Sequence, residues 1–317
     1  MSALKRHRAE HSLVVSAPAA QLYAVIADVT LWPAVFGPTV HVRHLERGER
    51  AERFEIWATV GDGISRWTSC RTLDPAGLRV TFRQDHSRPP VASMEGEWAL
   101  RELPGGDTEV VLLHDFTVVD DDPEAVASVN AALDRNSEAE LAALARVAGR
   151  GYPVADLVFS FTDRLEHTGP AAEAYGFVRR AELWAERLPH VERVRLTEDA
   201  PGIQDLEMDT VTADGSRHTT GSVRVCRDPE WIAYKQRVTP ALLAGHSGLW
   251  TFSDGPDGPV ATARHTVALD PDGLETVLGS GATVADGRAY VREALGRNSL
   301  ATLTRAAEHA RTAVGRP

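Results

Sequence analysis

The chain has 317 residues, enough for two domains that each bury a core. Its 34 basic and 45 acidic residues leave a net charge of −11, which argues against nucleic acid as a partner, because a phosphate backbone is held by clustered Lys and Arg. With 43% hydrophobic and 25% charged residues the composition is globular, and no run approaches the ~18 apolar residues of a membrane span or forms a signal-peptide core. Only Cys70 and Cys226 are present, expected reduced and unpaired in a cytoplasm. A zinc site needs local ligand spacing that the Cys and His residues do not offer, so no metal and no cofactor is expected.

Taken in order, residues 11–15 read as a strand, and Pro18 opens a short helix to about Asp28, since proline's missing N–H costs nothing in a first turn. Trp32-Pro33-Ala34-Val35-Phe36 follows as an aromatic turn. Strand-like runs come next over 40–46, 52–60, 64–73, 78–84, 92–102 and 108–119, with reversals at Gly61-Asp62-Gly63, Asp74-Pro75-Ala76-Gly77 and Pro104-Gly105-Gly106-Asp107. Residues 122–148 differ in kind. Val126, Val129, Leu133, Leu141, Leu144 and Val147 keep a three-and-four spacing, which predicts one amphipathic helix of about 38 Å. Asp120-Asp121-Asp122-Pro123-Glu124 supplies the acidic start that a helix N-terminus favours.

The order then repeats. Pro18-Ala19-Ala20-Gln21-Leu22-Tyr23 with Leu31-Trp32 recurs, 152 residues on, as Pro170-Ala171-Ala172-Glu173-Ala174-Tyr175 with Leu183-Trp184. The same offset relates Asp62-Gly63 to Asp214-Gly215, Phe82 to Tyr234 and Trp98 to Trp250. Ala132-Leu133-Asp134-Arg135-Asn136-Ser137 recurs at an offset of 162 as Ala294-Leu295-Gly296-Arg297-Asn298-Ser299, so about ten extra residues fall within 270–287. A period this long is a duplicated domain: 1–150 and 151–317, with the boundary near 149–153. The second copy predicts a strand at 157–165, a helix at 170–180, strands through Val267 and a last helix at 288–314. Strand, short helices, strands and long helix is the order of a helix-grip fold, in the α+β class. Each copy should be a curved antiparallel sheet around its long C-terminal helix, with a ligand-sized cleft between them.

One stretch carries chemistry. In Arg66-Trp67-Thr68-Ser69-Cys70-Arg71, strand alternation puts Trp67, Ser69 and Arg71 on one face and Thr68 and Cys70 on the other, so Cys70 is not a nucleophile for that face. Arg71 either meets water, pairs with a buried acid, or holds a polar guest; buried and unpartnered it would cost several kcal/mol. Ser222 and Arg224 repeat the pair at an offset of 153, with Thr220 where Trp67 stands. His114 and Asp115 are strand neighbours on opposite faces and do not read as a base with its orienting acid. His218, His246 and His265 read as scattered surface or core histidines. Trp98 and Trp250 read as packing at the sheet and helix interface, and Asn136 and Asn298 as structural.

The ordered set Trp32-Pro33 with Phe36, Trp67-x-Ser69-x-Arg71, Arg88-Pro89-Pro90 with Met94 and Trp98, and Arg135-Asn136 in the closing helix resembles the bacterial aromatic polyketide aromatase/cyclases, and the duplication resembles their two-domain members. The resemblance implies two tandem START or Bet v 1-like helix-grip domains and a poly-β-ketone substrate presented by an acyl carrier protein, with other polyketide synthase subunits as further partners. The implied reaction is an intramolecular aldol closure, followed by the dehydration that aromatises the first ring. It implies Arg71 and Ser69 as catalytic and Trp32 and Trp67 as aromatic lining. With the repeat, it nominates Phe36, Phe82, Met94 and Trp98, and in the second copy Ser222, Arg224 and Tyr234, as substrate-binding. Where the family carries a Tyr after the Trp-Pro turn this chain has Thr39, which leaves Ser69, Arg71 or a water to move that proton. Arg71 stays protonated, so it would hold an enolate oxygen rather than act as base. The N-terminal copy is the first candidate for the reaction. A passive carrier of hydrophobic ligands or a scaffold in a synthase assembly are the other readings, because fold alone does not fix function.

Overall fold

The computed structural model describes residues 4–61, 63–211 and 217–313. The repeated Asp62 and Asp214-Gly215 lie outside the described residues. The chain divides into two compact units, Met1–Asp156 and Leu157–Pro317.

The first unit runs β1 (His7–Val15), α1 (Ala19–Ala27), α2 (Trp32–Val35), β2 (Thr39–Arg47), β3 (Ala51–Val60), β4 (Gly63–Asp74), β5 (Arg79–Gln84), β6 (Val91–Glu102), β7 (Thr108–Val118) and α3 (Pro123–Ala148), with α4 (Val154–Leu157) at the junction of the two units. Its seven strands pair antiparallel in the order β1-β7-β6-β5-β4-β3-β2. The aromatic turn expected at Trp32 is a helical turn, because Pro33 falls in its first positions. Asp122 caps α3 through the Glu124 N–H at 3.2 Å. Leu22, Val25 and Ile26 give α1 one fully buried stripe, and Leu141, Leu144 and Val147 do the same for α3.

The second unit repeats this with β8 (Val158–Glu166), α5 (Ala171–Arg179), α6 (Trp184–Arg187), β9 (Val191–Ala200), β10 (Ile203–Val211), β11 (Arg217–Arg227), β12 (Trp231–Val238), β13 (Leu243–Gly255) and β14 (Gly258–Leu269). A 3-10 turn at Pro271–Gly273, α7 (Leu274–Leu278) and α8 (Val284–Ala313) complete it, so the extra residues of the second copy form the turn and α7. Its sheet order is β8-β14-β13-β12-β11-β10-β9. Among the described residues no helix is long and apolar enough to cross a membrane.

Strand register assembles one row of inward-facing residues across each sheet. In the first unit it reads Glu52, Arg71, Phe82, Gly96, His114. In the second it reads Gln204, Arg224, Tyr234, Gly248, His265. The glycines let the ring beside them lie flat: a Cβ on Gly96 would come within 2.4 Å of the Phe82 ring, and one on Gly248 within 2.2 Å of the Tyr234 ring.

Candidate active site

Arg71 points inward and is 3% exposed. Its Nε donates to Glu52 at 2.8 Å, its Nη2 to the same oxygen and to the Ala27 carbonyl, and its Nη1 to the Ile26 carbonyl at 2.8 Å. Glu52 is held from its other side by His44 at 2.9 Å. Of the three sequence readings of Arg71, pairing with a buried acid is the one observed. The guanidinium caps the last carbonyls of α1 and lies over the Trp32 ring at 4.9 Å. Burial lowers its pKa and Glu52 opposes that.

Ser69 is also buried, and its hydroxyl donates to the Arg83 carbonyl at 3.4 Å. Trp32 donates its indole N–H to the carbonyls of Val25 and Ile26, meets Phe36 edge-on, and Phe36 stacks on Trp98 at 6.0 Å. These three rings are core. Met94 packs with Phe116, Val118 and Val129. Trp67 is half-buried opposite Ile56, and Phe82 meets His114 edge-on at 5.4 Å. An open hollow of 570 Å³ in this unit is lined by Arg53, Cys70, Thr72, Arg83 and Glu95, on the face opposite Ser69, and Glu52, Arg71 and Phe82 also border it. Of its charges, Arg53 is met by Asp85 and Glu95 by Arg6.

The second unit is built otherwise. A cavity of 170 Å³ lies between its sheet and α8, and Ser222, Arg224 and Tyr234, all nominated from sequence, line it together with Trp184, Trp250 and Asn298. Trp250 and Asn298, read from sequence as structural, therefore face this space. So do His246 and His265, each 2% exposed; of the surface and core readings they are core histidines, but joined to each other rather than scattered. His246 Nδ1 meets Gln236 Oε1 at 2.9 Å and its Nε2 meets His265 Nδ1 at 3.0 Å. His265 Nε2 meets the Ser299 hydroxyl at 3.1 Å, and the Tyr234 phenol reaches His265 Nδ1 at 3.3 Å. The Ser299 hydroxyl also lies 2.9 Å from the Leu295 carbonyl, which competes with His265 Nε2 for its one proton. This is a continuous hydrogen-bonded chain from β12 through β13 and β14 to α8. His218 is exposed and apart from it.

Burial sets the protonation of the chain. It pulls the His265 pKa down to about 4, with Asp163 pushing it up and Arg292 down, and holds His246 well below the histidine range. Both rings are neutral at pH 7 and able to accept a proton. Burial raises the Tyr234 pKa and Arg224 partly offsets this, so the phenol keeps its proton as a donor. Arg224 is 2% exposed. Its Nη2 donates to the Val178 carbonyl at 2.7 Å, while its Nη1 is buried without a partner. Burial lowers its pKa.

For the missed His246 the repeat held a signal. The offset of 152 sets His246 opposite Met94 and Tyr234 opposite Phe82, polar for apolar on the inward face. The polar groups of the catalytic candidates Arg71 and Ser69 are committed to protein partners, whereas the second-copy residues converge on a cavity between sheet and helix.

Two family models, each described as "Polyketide cyclase / dehydrase and lipid transport", match residues 6–149 and 168–285. Over 308 residues, 97% of this chain and 95% of the relative, the sequence is 62% identical to the granaticin polyketide synthase bifunctional cyclase/dehydratase of Streptomyces violaceoruber. It is 53% identical over 317 residues, 97% of this chain and 98% of the relative, to the actinorhodin polyketide synthase bifunctional cyclase/dehydratase of Streptomyces coelicolor. Among solved structures, the di-domain ARO/CYC BexL from the BE-7585A biosynthetic pathway matches with a TM-score of 0.81 at 46% identity, covering 98% of this chain and 100% of that one. The di-domain ARO/CYC StfQ from the steffimycin pathway matches with a TM-score of 0.80 at 36% identity, covering 97% and 100%.

Proposed function

The chain belongs to the polyketide cyclase/dehydrase family in its two-domain aromatase/cyclase form, and from that premise we propose that its acid–base chemistry is carried by the C-terminal cavity. The substrate is a poly-β-ketone on an acyl carrier protein, met in the cytoplasm beside the other synthase subunits, and the product is its first ring, closed and dehydrated.

Ring closure and dehydration need the same three groups. A base takes a proton from the carbon between two carbonyls. A fixed cation holds the enolate oxygen that results. An acid protonates either the carbonyl oxygen under attack or the hydroxyl that leaves as water. Neutral His265 is the base, and the charge it gains is shared along His246 and Ser299. Arg224 is the cation, with Nη1 unspent. Tyr234 is the acid, and the imidazolium of His265 resupplies its proton across 3.3 Å. The proton taken from carbon thus returns to oxygen, and the site ends each cycle as it began. Cavities of ~150 Å³ hold benzene, so 170 Å³ suits the reacting ring with the remainder of the chain outside it.

The observation that carries this reading is the Tyr234–His265–His246 chain on the wall of a cavity that Arg224, with no partner for its Nη1, also lines. A passive lipid carrier has no use for it, and relatives at 41% to 62% identity are named as cyclase/dehydratases. The test is reconstitution with a minimal polyketide synthase and comparison of Tyr234→Phe, Arg224→Met and Ser69→Ala. Tyr234→Phe should lower the yield of dehydrated, aromatised product about 10²-fold or more in favour of shunt products. Ser69→Ala should retain it. The opposite pattern would move the chemistry to the N-terminal domain.

A further inference from the structure

Arg71 and Arg224 sit on equivalent strands, face inward, cap a carbonyl at the end of the same short helix and lie over the same tryptophan, Trp32 or Trp184. Their directly paired neighbours on the next strand differ by one functional group. Arg71 pairs across the strands with the carboxylate Glu52, and Arg224 with the amide Gln204. Glu52 takes two of the guanidinium nitrogens of Arg71 on one oxygen. Gln204 takes none from Arg224. It is fully buried, and its Nε2 is turned to Glu198 at 2.9 Å and to the Arg179 carbonyl at 3.5 Å.

We propose that Gln204 is the residue that makes the C-terminal cavity a receptor for a delocalised oxyanion, the enolate or phenolate of a ring, by leaving the Arg224 charge uncompensated. This rests on the C-terminal cavity being the reactive one. The carboxylate that Gln204 bonds is already spent: Glu198 accepts from Arg179 at 2.8 Å, from the Gly202 N–H at 2.9 Å and from Gln204 itself. Glu182, the carboxylate whose charge acts on Arg224, makes no ion pair with it and bonds Arg180 at 3.2 Å instead. No carboxylate among the described residues makes an ion pair with Arg224, and its Nη1 has no partner. A buried guanidinium in this state is costly to the empty protein, and a guest that brings one negative charge to the cavity relieves that cost. A neutral guest does not. In the N-terminal domain Glu52 has already supplied the charge, so the same arginine there gains nothing from an anion. Gln204 touches no substrate; it is a positioning residue that acts through Arg224.

The probe is 2,4-dihydroxyacetophenone, a one-ring compound whose phenolate absorbs to the red of its phenol, titrated at a pH where it is mostly neutral in solution. Wild type should show a saturable phenolate band. Gln204→Met, which keeps position 204 neutral, should show it too. Gln204→Glu, which recreates in this unit the pair that Glu52 and Arg71 already form stably, should lose the band. A phenolate band undiminished in Gln204→Glu overturns the inference. So does its loss in a Gln204→Met protein that is folded by circular dichroism, or a wild type that takes up only the neutral phenol or nothing. The assay reads binding without turnover, so the Tyr234→Phe result on product yield stands or falls separately.

Discussion

In the N-terminal domain the row across the sheet floor is Glu52, Arg71, Phe82, Gly96, His114; in the C-terminal domain it is Gln204, Arg224, Tyr234, Gly248, His265. Two of the five positions change chemical class. Carboxylate becomes amide, which releases the arginine from an ion pair. Phenylalanine becomes tyrosine, which puts a proton donor 3.3 Å from a histidine nitrogen. A third change, Met94 to His246 two residues along the strand from the row's glycine, gives that histidine a second histidine at 3.0 Å. In the first unit the matching His114 Nδ1 and Ser137 Oγ are buried with no partner, so the hydrogen-bonded chain there is broken. One backbone therefore supports an ion-paired, largely apolar floor in one copy and a proton-moving floor with a spare charge in the other.

The comparison is broken most directly through stability. Arg71→Met strands a buried carboxylate whose remaining bond is to His44, and breaking a buried pair by removing one partner costs about 3–5 kcal/mol. Arg224→Met removes one hydrogen bond to Val178 O together with an unpaired buried charge, so it should be near neutral or stabilising. Urea melts of both variants measure this. Equal losses would mean that Arg224 is as tightly compensated as Arg71, and the contrast between the domains would go.

Next in size are the two glycines. Alanine at Gly96 would set its Cβ 2.1 Å from the Leu113 carbonyl and 2.4 Å from the Phe82 ring; at Gly248 the Tyr234 ring atoms lie at 2.2 to 2.4 Å. Each substitution should cost about 1–3 kcal/mol through forced displacement. Only Gly248→Ala should also cut product yield beyond its loss of folded protein, because the ring it displaces carries the phenol. Yield normalised to folded enzyme separates the two, and an equal drop in Gly96→Ala would return part of the chemistry to the N-terminal floor.

Much of the architecture was readable in the sequence because its signals are local. Strand 108–119 alternates, the strand-like runs end at Gly, Pro or Asp turns, and α3 keeps its apolar spacing along its length. The duplication was readable from Pro170 and Trp184 alone. The site was less so, because it depends on which residue lies opposite which. A fixed offset of 152 sends His265 to Leu113, whose side chain faces away from the cavity; strand pairing sends it to His114 instead, one residue on. Arg71 was singled out for its inward face, but that its guanidinium was spent on Glu52 follows only from the β3–β4 register. Gln204 carries no motif at all. Its meaning is the absence of a charge beside an arginine 20 residues away.

The smallest effect concerns the pH at which the C-terminal floor stops working. His265 acts as a base only while neutral, so activity should hold from neutral pH downward and fall as the ring is protonated near about 4. The groups facing that ring are Tyr234 on β12, His246 on β13, Asp163 on β8, and Arg292 and Ser299 on α8. Asp163 and Arg292 bond each other at 2.6 Å and tie the edge strand to the long helix, where the first unit uses His11 and Asp134 at 3.0 Å. Asp163 stabilises an imidazolium at His265 and Arg292 opposes it. Arg292→Met removes the opposing charge and leaves Asp163, so the histidine pKa rises and the acid limb of the kcat/KM profile moves to higher pH, by about one unit or less for a pair that is part-exposed. His11→Gln, the matching change in the first unit, should leave that limb where it is. A limb that moves down in Arg292→Met, or moves equally in His11→Gln, would mean that the group titrating in the reaction is not the histidine at the centre of the C-terminal chain.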